Sequence, residues 1–169
     1  MEIDMAHSET RSPWMTDRDS AEAVWFLATR MTVLATAETT DGALGLIEAV
    51  VPPGFSPPLH VHSREDEPMY VIEGRVTYQV GDRRFEAGPG SFVFLPRDIP
   101  HSFVVEGDAP AKILELVLPG GMERFHIEGG RPAEGPGLPP PAAPNIAMLD
   151  QLTDSYGLRH VGPPMSPRD

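Results

Sequence analysis

The sequence predicts an all-β protein, a small sandwich or barrel built from roughly eight to eleven short strands. Two observations carry that reading. Residues of high β propensity, aromatic and β-branched, gather in short runs such as 24–27, 31–36, 91–95 and 111–118. Between the runs fall turn formers, drawn from 16 glycines and 20 prolines in 169 residues.

Taken in order, residues 1–20 are polar and read as a loose arm with Pro13 and Trp14 as its anchors. Residues 24–27 and 31–36 pair as the first strands. Residues 39–42 close a hairpin, because Asp41 and Gly42 tolerate the positive φ that such turns need. An apolar strand over 43–51 ends at Pro52, Pro53 and Gly54. Pro57 and Pro58 then deliver the chain to a strand carrying His60 and His62. Strands follow over 67–73, 75–80, 83–87, 91–95, 102–105 and 111–118, with turns at Gly74, Gly81–Asp82, 88–90 and 106–108.

After Pro119 the composition shifts. Residues 123–127 suit about one turn of helix, and the proline-rich stretch 131–144 should lie extended. Ile146, Leu149, Leu152 and Tyr156 stand near helical spacing ahead of a Gly157 stop, which predicts an amphipathic helix over 145–156. The expected organisation is therefore an arm (1–20), a β-barrel domain (21–120) and an extension (121–169) that packs on the barrel or covers its mouth. No internal repeat is visible, so one barrel unit is expected.

Composition narrows function. A net charge of −12 repels phosphate backbones and anionic membranes, so neither nucleic acid nor a membrane is an expected partner. There is no cysteine, hence no disulfide or thiolate ligand. No apolar run reaches the ~18–20 residues of a membrane span, and the first residues lack the basic start and apolar core of a signal peptide. A cytoplasmic protein is expected.

The chemistry concentrates between residues 54 and 101. On a strand, His60 and His62 leave the same face, roughly 6.6 Å apart along it. Glu67 offers a hard oxygen, and His101 a third imidazole from a later strand. Three imidazoles and a carboxylate suit one divalent first-row metal (Fe, Mn, Co, Ni or Zn) at about 2.0–2.2 Å, with two octahedral positions left open. If Glu67 faces the cavity, alternation turns Met69 and Val71 the same way, and His101 likewise brings Phe103 and Val105. Met69 and Phe103 are the expected substrate-pocket residues, with Val71 and Val105 as plain core. Tyr70 has the opposite parity and is expected to be structural. Arg64 and Arg97 flank the cluster and are the arginines that could meet an anionic substrate. His7, His126 and His160 are expected at the surface.

The spacing resembles both motifs of the cupin superfamily. Gly54, His60, His62, Glu67 and Gly74 fit the first at every interval. Gly90, Pro96 and His101 fit the second, with Asp98 standing where the family has Gly and Val105 where it has Asn. The wording from His60 to Gly74 and from Pro96 to His101 is similar to that of bacterial single-domain, quercetinase-like cupins. This resemblance implies a double-stranded β-helix, or jelly-roll barrel. It also selects Glu67 as ligand over Glu65 and Asp66, which become solvated loop charges or groups that hold the loop. It implies a metal-dependent dioxygenase acting on a flavonol-like or enolic aromatic molecule. His60, His62 and His101 would hold the metal, while Glu67 would be both ligand and general base. An oxygen-independent isomerase, cyclase or lyase, or a small-molecule binder without turnover, shares the same ligand set. The expected assembly is a homodimer.

Overall fold

The computed structural model describes residues 12–168; His7 and most of the expected arm lie outside the described residues. Residues 12–20 form no strand or helix. Trp14 is 49% exposed, and Arg18 ties the segment down through a 2.6 Å ion pair with Glu48.

β1 (Ala23–Phe26) and β2 (Thr29–Ala35) pair antiparallel as expected, with Val24 opposite Met31. The link from β2 to β3 (Gly45–Val51) is not the tight hairpin turn predicted over 39–42. It contains a helical turn, α1 (Ala37–Thr40), because Thr36 and Thr39 form a reciprocal capping box. Asp41 and Gly42 do take positive φ (54° and 76°), but they end that turn rather than join two strands directly.

The chain continues as β4 (Pro58–His62), β5 (Met69–Glu73), β6 (Arg75–Val80), β7 (Arg83–Ala87), β8 (Phe92–Val93), β9 (His101–Glu106) and β10 (Ala111–Val117). β5 begins two residues later than the predicted strand, so Glu67 sits in the loop before it. α2 (Glu123–Gly129), β11 (Arg131–Pro132), α3 (Ile146–Ser155) and β12 (Leu158–Pro164) complete the described elements.

Two antiparallel sheets result. One has the order β11-β1-β2-β3-β10-β5-β8, the other β12-β4-β9-β6-β7. Their inner faces meet in one core that includes Ile47, Val71, Ile113 and Val117 from the first sheet and Val76, Tyr78 and Val105 from the second. This is a jelly-roll barrel. Gly74 lets two of its strands approach: φ is 87°, and a Cβ there would lie 2.7 Å from the Ala111 Cα.

β12 was not expected. Two prolines and a glycine within Leu158–Pro164 argue against a strand, but β12 is at a sheet edge, where lost ladder bonds are tolerated. It lies along the histidine strand, Leu158 opposite His62 and His160 opposite His60, and its register shifts after His160 and again after Gly162. α3 matches the predicted helix: Asn145 caps it by accepting from the Met148 amide at 3.2 Å, and Leu149, Leu152 and Tyr156 pack on the core. Among the described residues, no helix is long and apolar enough to cross a membrane.

Candidate metal centre

Strand pairing assembles the cluster. His60 on β4 lies directly opposite His101 on β9, and period-two alternation puts His62 on the same inner face. The ring centroids are 4.6 Å (His60–His101), 5.0 Å (His60–His62) and 5.2 Å (His62–His101) apart.

Glu67 arrives from the β4–β5 loop, which is fixed at several points. Its own amide donates to Leu95 O at 2.9 Å, and Asp66 and Leu118 exchange two backbone bonds of 2.9 Å. The Arg97 guanidinium forks onto the Asp66 carboxylate at 2.9 and 3.2 Å. Asp66 therefore holds the loop, and Arg97 is engaged with it rather than with a ligand. Arg64 donates to Ser155 O at 3.0 Å. Neither arginine borders the cavity described below. At the second motif's departure, Asp98 adopts the left-handed φ (63°) that the family's Gly would take freely, while its amide donates to His62 O at 2.8 Å.

One donor atom from each of His60, His62, Glu67 and His101 lies within 4.8 Å of the others, and all four residues are buried. His101 Nε2 is 3.1 Å and His62 Nε2 3.7 Å from Glu67 Oε2. His60 Nδ1 meets Pro58 O at 2.7 Å, and His101 Nδ1 meets Ile99 O at 2.9 Å. A carbonyl only accepts, so each Nδ1 carries the proton and each Nε2 keeps its lone pair for the centre. Among the described residues neither nitrogen of His62 has a hydrogen-bond partner although both are buried, and its Nδ1 stands 4.0 Å from Glu65 Oε2. Glu65 is buried, not solvated, and burial pushes its carboxyl up.

Burial, then the neighbouring imidazoles, lowers His60 to about 3 and His62 to about 2. Neutral imidazole is the form that ligates a metal. Burial raises the Glu67 carboxyl. A buried carboxylate facing imidazole lone pairs lacks a cation, and a divalent metal fits that deficit. The four residues can hold one.

The cluster opens on a cavity of about 370 Å³. Its wall is largely apolar, with Met31, Met69, Phe103, Phe125, Leu149 and Leu158 prominent. Val71 and Val105 are fully buried and do not border it, and Tyr70 is exposed. Among the described residues no Arg or Lys lines the cavity; its carboxylates are Glu67, Glu115 and Asp150.

One expectation is overturned here. His126 is not a surface residue: it is 8% exposed, its Nε2 lies 3.0 Å from Glu115 Oε1, and both groups border the cavity. α2 turns inward because Met122, Phe125 and His126, spaced three and four apart, share one face. The signal for Glu115 was equally present, since Ala111, Ile113, Glu115 and Val117 alternate inward along β10. His160 is exposed, as expected, beside the cavity mouth.

Residues 47–117 match the Cupin domain family model. Quercetin 2,3-dioxygenase of Bacillus subtilis is 27% identical over 120 residues, spanning 71% of this chain and 35% of that protein. An uncharacterised protein of Methanocaldococcus jannaschii is 36% identical over 69 residues, 41% of this chain and 55% of that one. The chain thus spans about half of one curated relative and a third of the other. Among solved structures, a predicted oxalate decarboxylase from Thermotoga maritima superposes with a TM-score of 0.58 at 18% identity, covering 63% of this chain and 99% of that one. At that identity the likeness concerns the fold.

Proposed function

Since the chain belongs to the cupin superfamily, we propose that it is a metal-dependent enzyme acting on a neutral, largely apolar aromatic molecule with an enolic or flavonol-like hydroxyl, and that it is a dioxygenase. The observation that carries this reading is the apolar cavity that no Arg or Lys among the described residues lines and that opens directly on four buried donors. Such walls favour a flat hydrophobic ligand, and the buried carboxylates disfavour an anionic one.

His60, His62, His101 and Glu67 would hold one divalent metal, which when bound supplies Lewis-acid activation of a coordinating hydroxyl. The chain's own contribution is placement and proton transfer. Pro58 O and Ile99 O keep two imidazoles in a single tautomer. The Asp66–Arg97 fork holds the loop that presents Glu67. Glu67 Oε2 accepts the hydroxyl proton, a role that its burial favours by making the neutral acid accessible. Met69 and Phe103 orient the ring and exclude water.

The test is oxygen uptake with a panel of flavonols and related enols after reconstitution with Fe, Mn, Co, Ni or Zn in turn. Uptake with one member and one metal is expected, and none with any combination would sink the dioxygenase reading. Turnover under strict anaerobiosis would favour an isomerase, cyclase or lyase, for which the His126–Glu115 pair on the cavity wall is the favouring observation. The absence of cysteine fits a cytoplasmic protein. A homodimer is proposed, to be checked by light scattering.

A further inference from the structure

Resting on the reading above, we infer that His126, backed by Glu115, is a second proton acceptor of the cavity, serving a hydroxyl of the aromatic substrate other than the one that faces Glu67. Both residues border the cavity that contains the four clustered donors. Glu115 projects inward from β10 between Ile47 of β3 and Met69 of β5, a carboxylate set into an otherwise apolar patch. It accepts from His126 Nε2 at 3.0 Å, so the neutral ring carries its proton there and presents Nδ1 as an acceptor. That Nδ1 is buried and has no hydrogen-bond partner among the described residues. Phe26 and Phe125 hold the ring edge-on, with centroids 4.9 and 5.5 Å away, so it has one orientation.

A mere tether between α2 and the barrel would not need this chemistry. An apolar pair of similar size holds two elements together without the desolvation cost of a buried carboxylate, and leaves no orphaned nitrogen. Other charged or titratable groups that His126 senses are Glu67 from the β4–β5 loop, Glu123 from its own helix, and His60 and His62 from β4. Burial alone would depress its pKa; Glu115 first, then Glu67 and Glu123, outweigh that and leave it raised, as suits a base. In the step itself the substrate O–H bond breaks and an Nδ1–H bond forms. The electron pair stays on the oxygen, and the imidazolium so formed is matched by the Glu115 carboxylate.

The experiment uses full-length protein reconstituted with zinc, in the absence of oxygen, and follows ligand absorbance. The probes are quercetin, which has further ring hydroxyls, and 3-hydroxyflavone, which lacks them. For His126→Gln, quercetin affinity should fall about ten- to a hundredfold, the cost of one hydrogen bond to a charged partner, with 3-hydroxyflavone changed less than about twofold. Glu115→Gln keeps an acceptor for Nε2–H and hence any tether, but removes the charge. The pH at which bound quercetin ionises should then rise by about one unit or more. If His126→Gln does not fold, this second variant decides alone. Equal losses for both probes, or an ionisation midpoint unmoved in Glu115→Gln, would overturn the inference and leave a tether. Variants that bind both probes as wild type does would sink it while leaving the proposed function standing. Wild type that binds neither probe would sink both.

Discussion

Replacing Glu67 with Gln should move stability in opposite directions with and without metal. In the metal-free chain Glu67 is a buried carboxyl whose pKa is raised, chiefly by burial. A raised acid contributes stability below its unfolded value of 4.5, and that stability is lost as pH rises through the folded pKa. At pH 7.5 His60 and His62 are neutral in both states, and Gln, of the same shape as Glu without the charge, removes the carboxylate's burial penalty. Metal-free Glu67→Gln should therefore unfold at a higher temperature than metal-free wild type. With metal the order reverses. At a free metal concentration of 100 Kd, wild type gains about 2.7 kcal/mol, or roughly 5–11 °C in Tm for a chain of this size. Losing one partner of a buried charge pair costs about 2–5 kcal/mol. Taking about a hundredfold in affinity, the same metal concentration stabilises the variant by only about 0.4 kcal/mol, near 1 °C. Circular-dichroism melts of both proteins with and without zinc at pH 7.5 give all four numbers. An equal metal-induced shift in both proteins would refute Glu67 as a ligand. A metal-free variant less stable than wild type would refute the buried, uncompensated carboxylate. Where turnover is found, rate per bound metal should fall about 10²–10⁴-fold, the usual contribution of a general base.

Three further outcomes follow from the geometry. His60 and His62 have folded pKa values of about 3 and 2, well below the unfolded 6.5, so protonation favours the unfolded chain and stability is lost as pH falls below 6.5. In metal-free Glu67→Gln, where the carboxyl no longer titrates, the pair should cost at most about 2.5 kcal/mol between pH 7.0 and 5.5; identical urea midpoints at the two pH values would contradict it. Gly45→Ala should cost about 2–3 kcal/mol or more in urea unfolding. Its Cβ would fall 2.3 Å from Glu123 Oε2, and Glu123 cannot retreat because it is fully buried and accepts from the Ala37 and Gly121 amides at 2.6 Å each. Asp98→Gly should stabilise the protein by about 0.5–1 kcal/mol by relieving a left-handed φ, with zinc affinity unchanged. A shifted zinc affinity would mean that the Asp98 side chain supports the centre.

What the sequence discloses tracks the range of the forces involved. Alternation along one strand and frequent turn signals are local, and they were enough to foretell the strand around His60 and His62 and a sandwich or barrel, which the family resemblance narrowed to a jelly roll. The helix over 145–156 was likewise legible from its apolar spacing and its Gly157 stop. β12 was not, because its stability comes from pairing with β4 about a hundred residues earlier, which overrides two prolines and a glycine. The capping box at Thr36 and Thr39 was legible in principle, yet Asp41 and Gly42 spoke more loudly for a hairpin. His126 was misjudged because a histidine in a flanking segment looks like surface until its helix is seen to turn Met122 and Phe125 inward with it.

The same division separates what this chain shares with relatives from what is its own. All four clustered donors fall within residues 47–117, the span that matches the family. Much of the cavity wall does not: Phe26 and Met31 come from strands before that span, and Phe125, His126, Leu149 and Leu158 from elements after it. Relatives aligned only across the barrel can therefore share the centre without sharing the surface that chooses a ligand. On the inference above, the positions of Glu115 and His126 would decide which hydroxyl pattern is accepted, because an unmatched buried polar group costs more than an extra apolar contact gains. Substrate choice would then rest on α2 and its neighbours at least as much as on the motif strands.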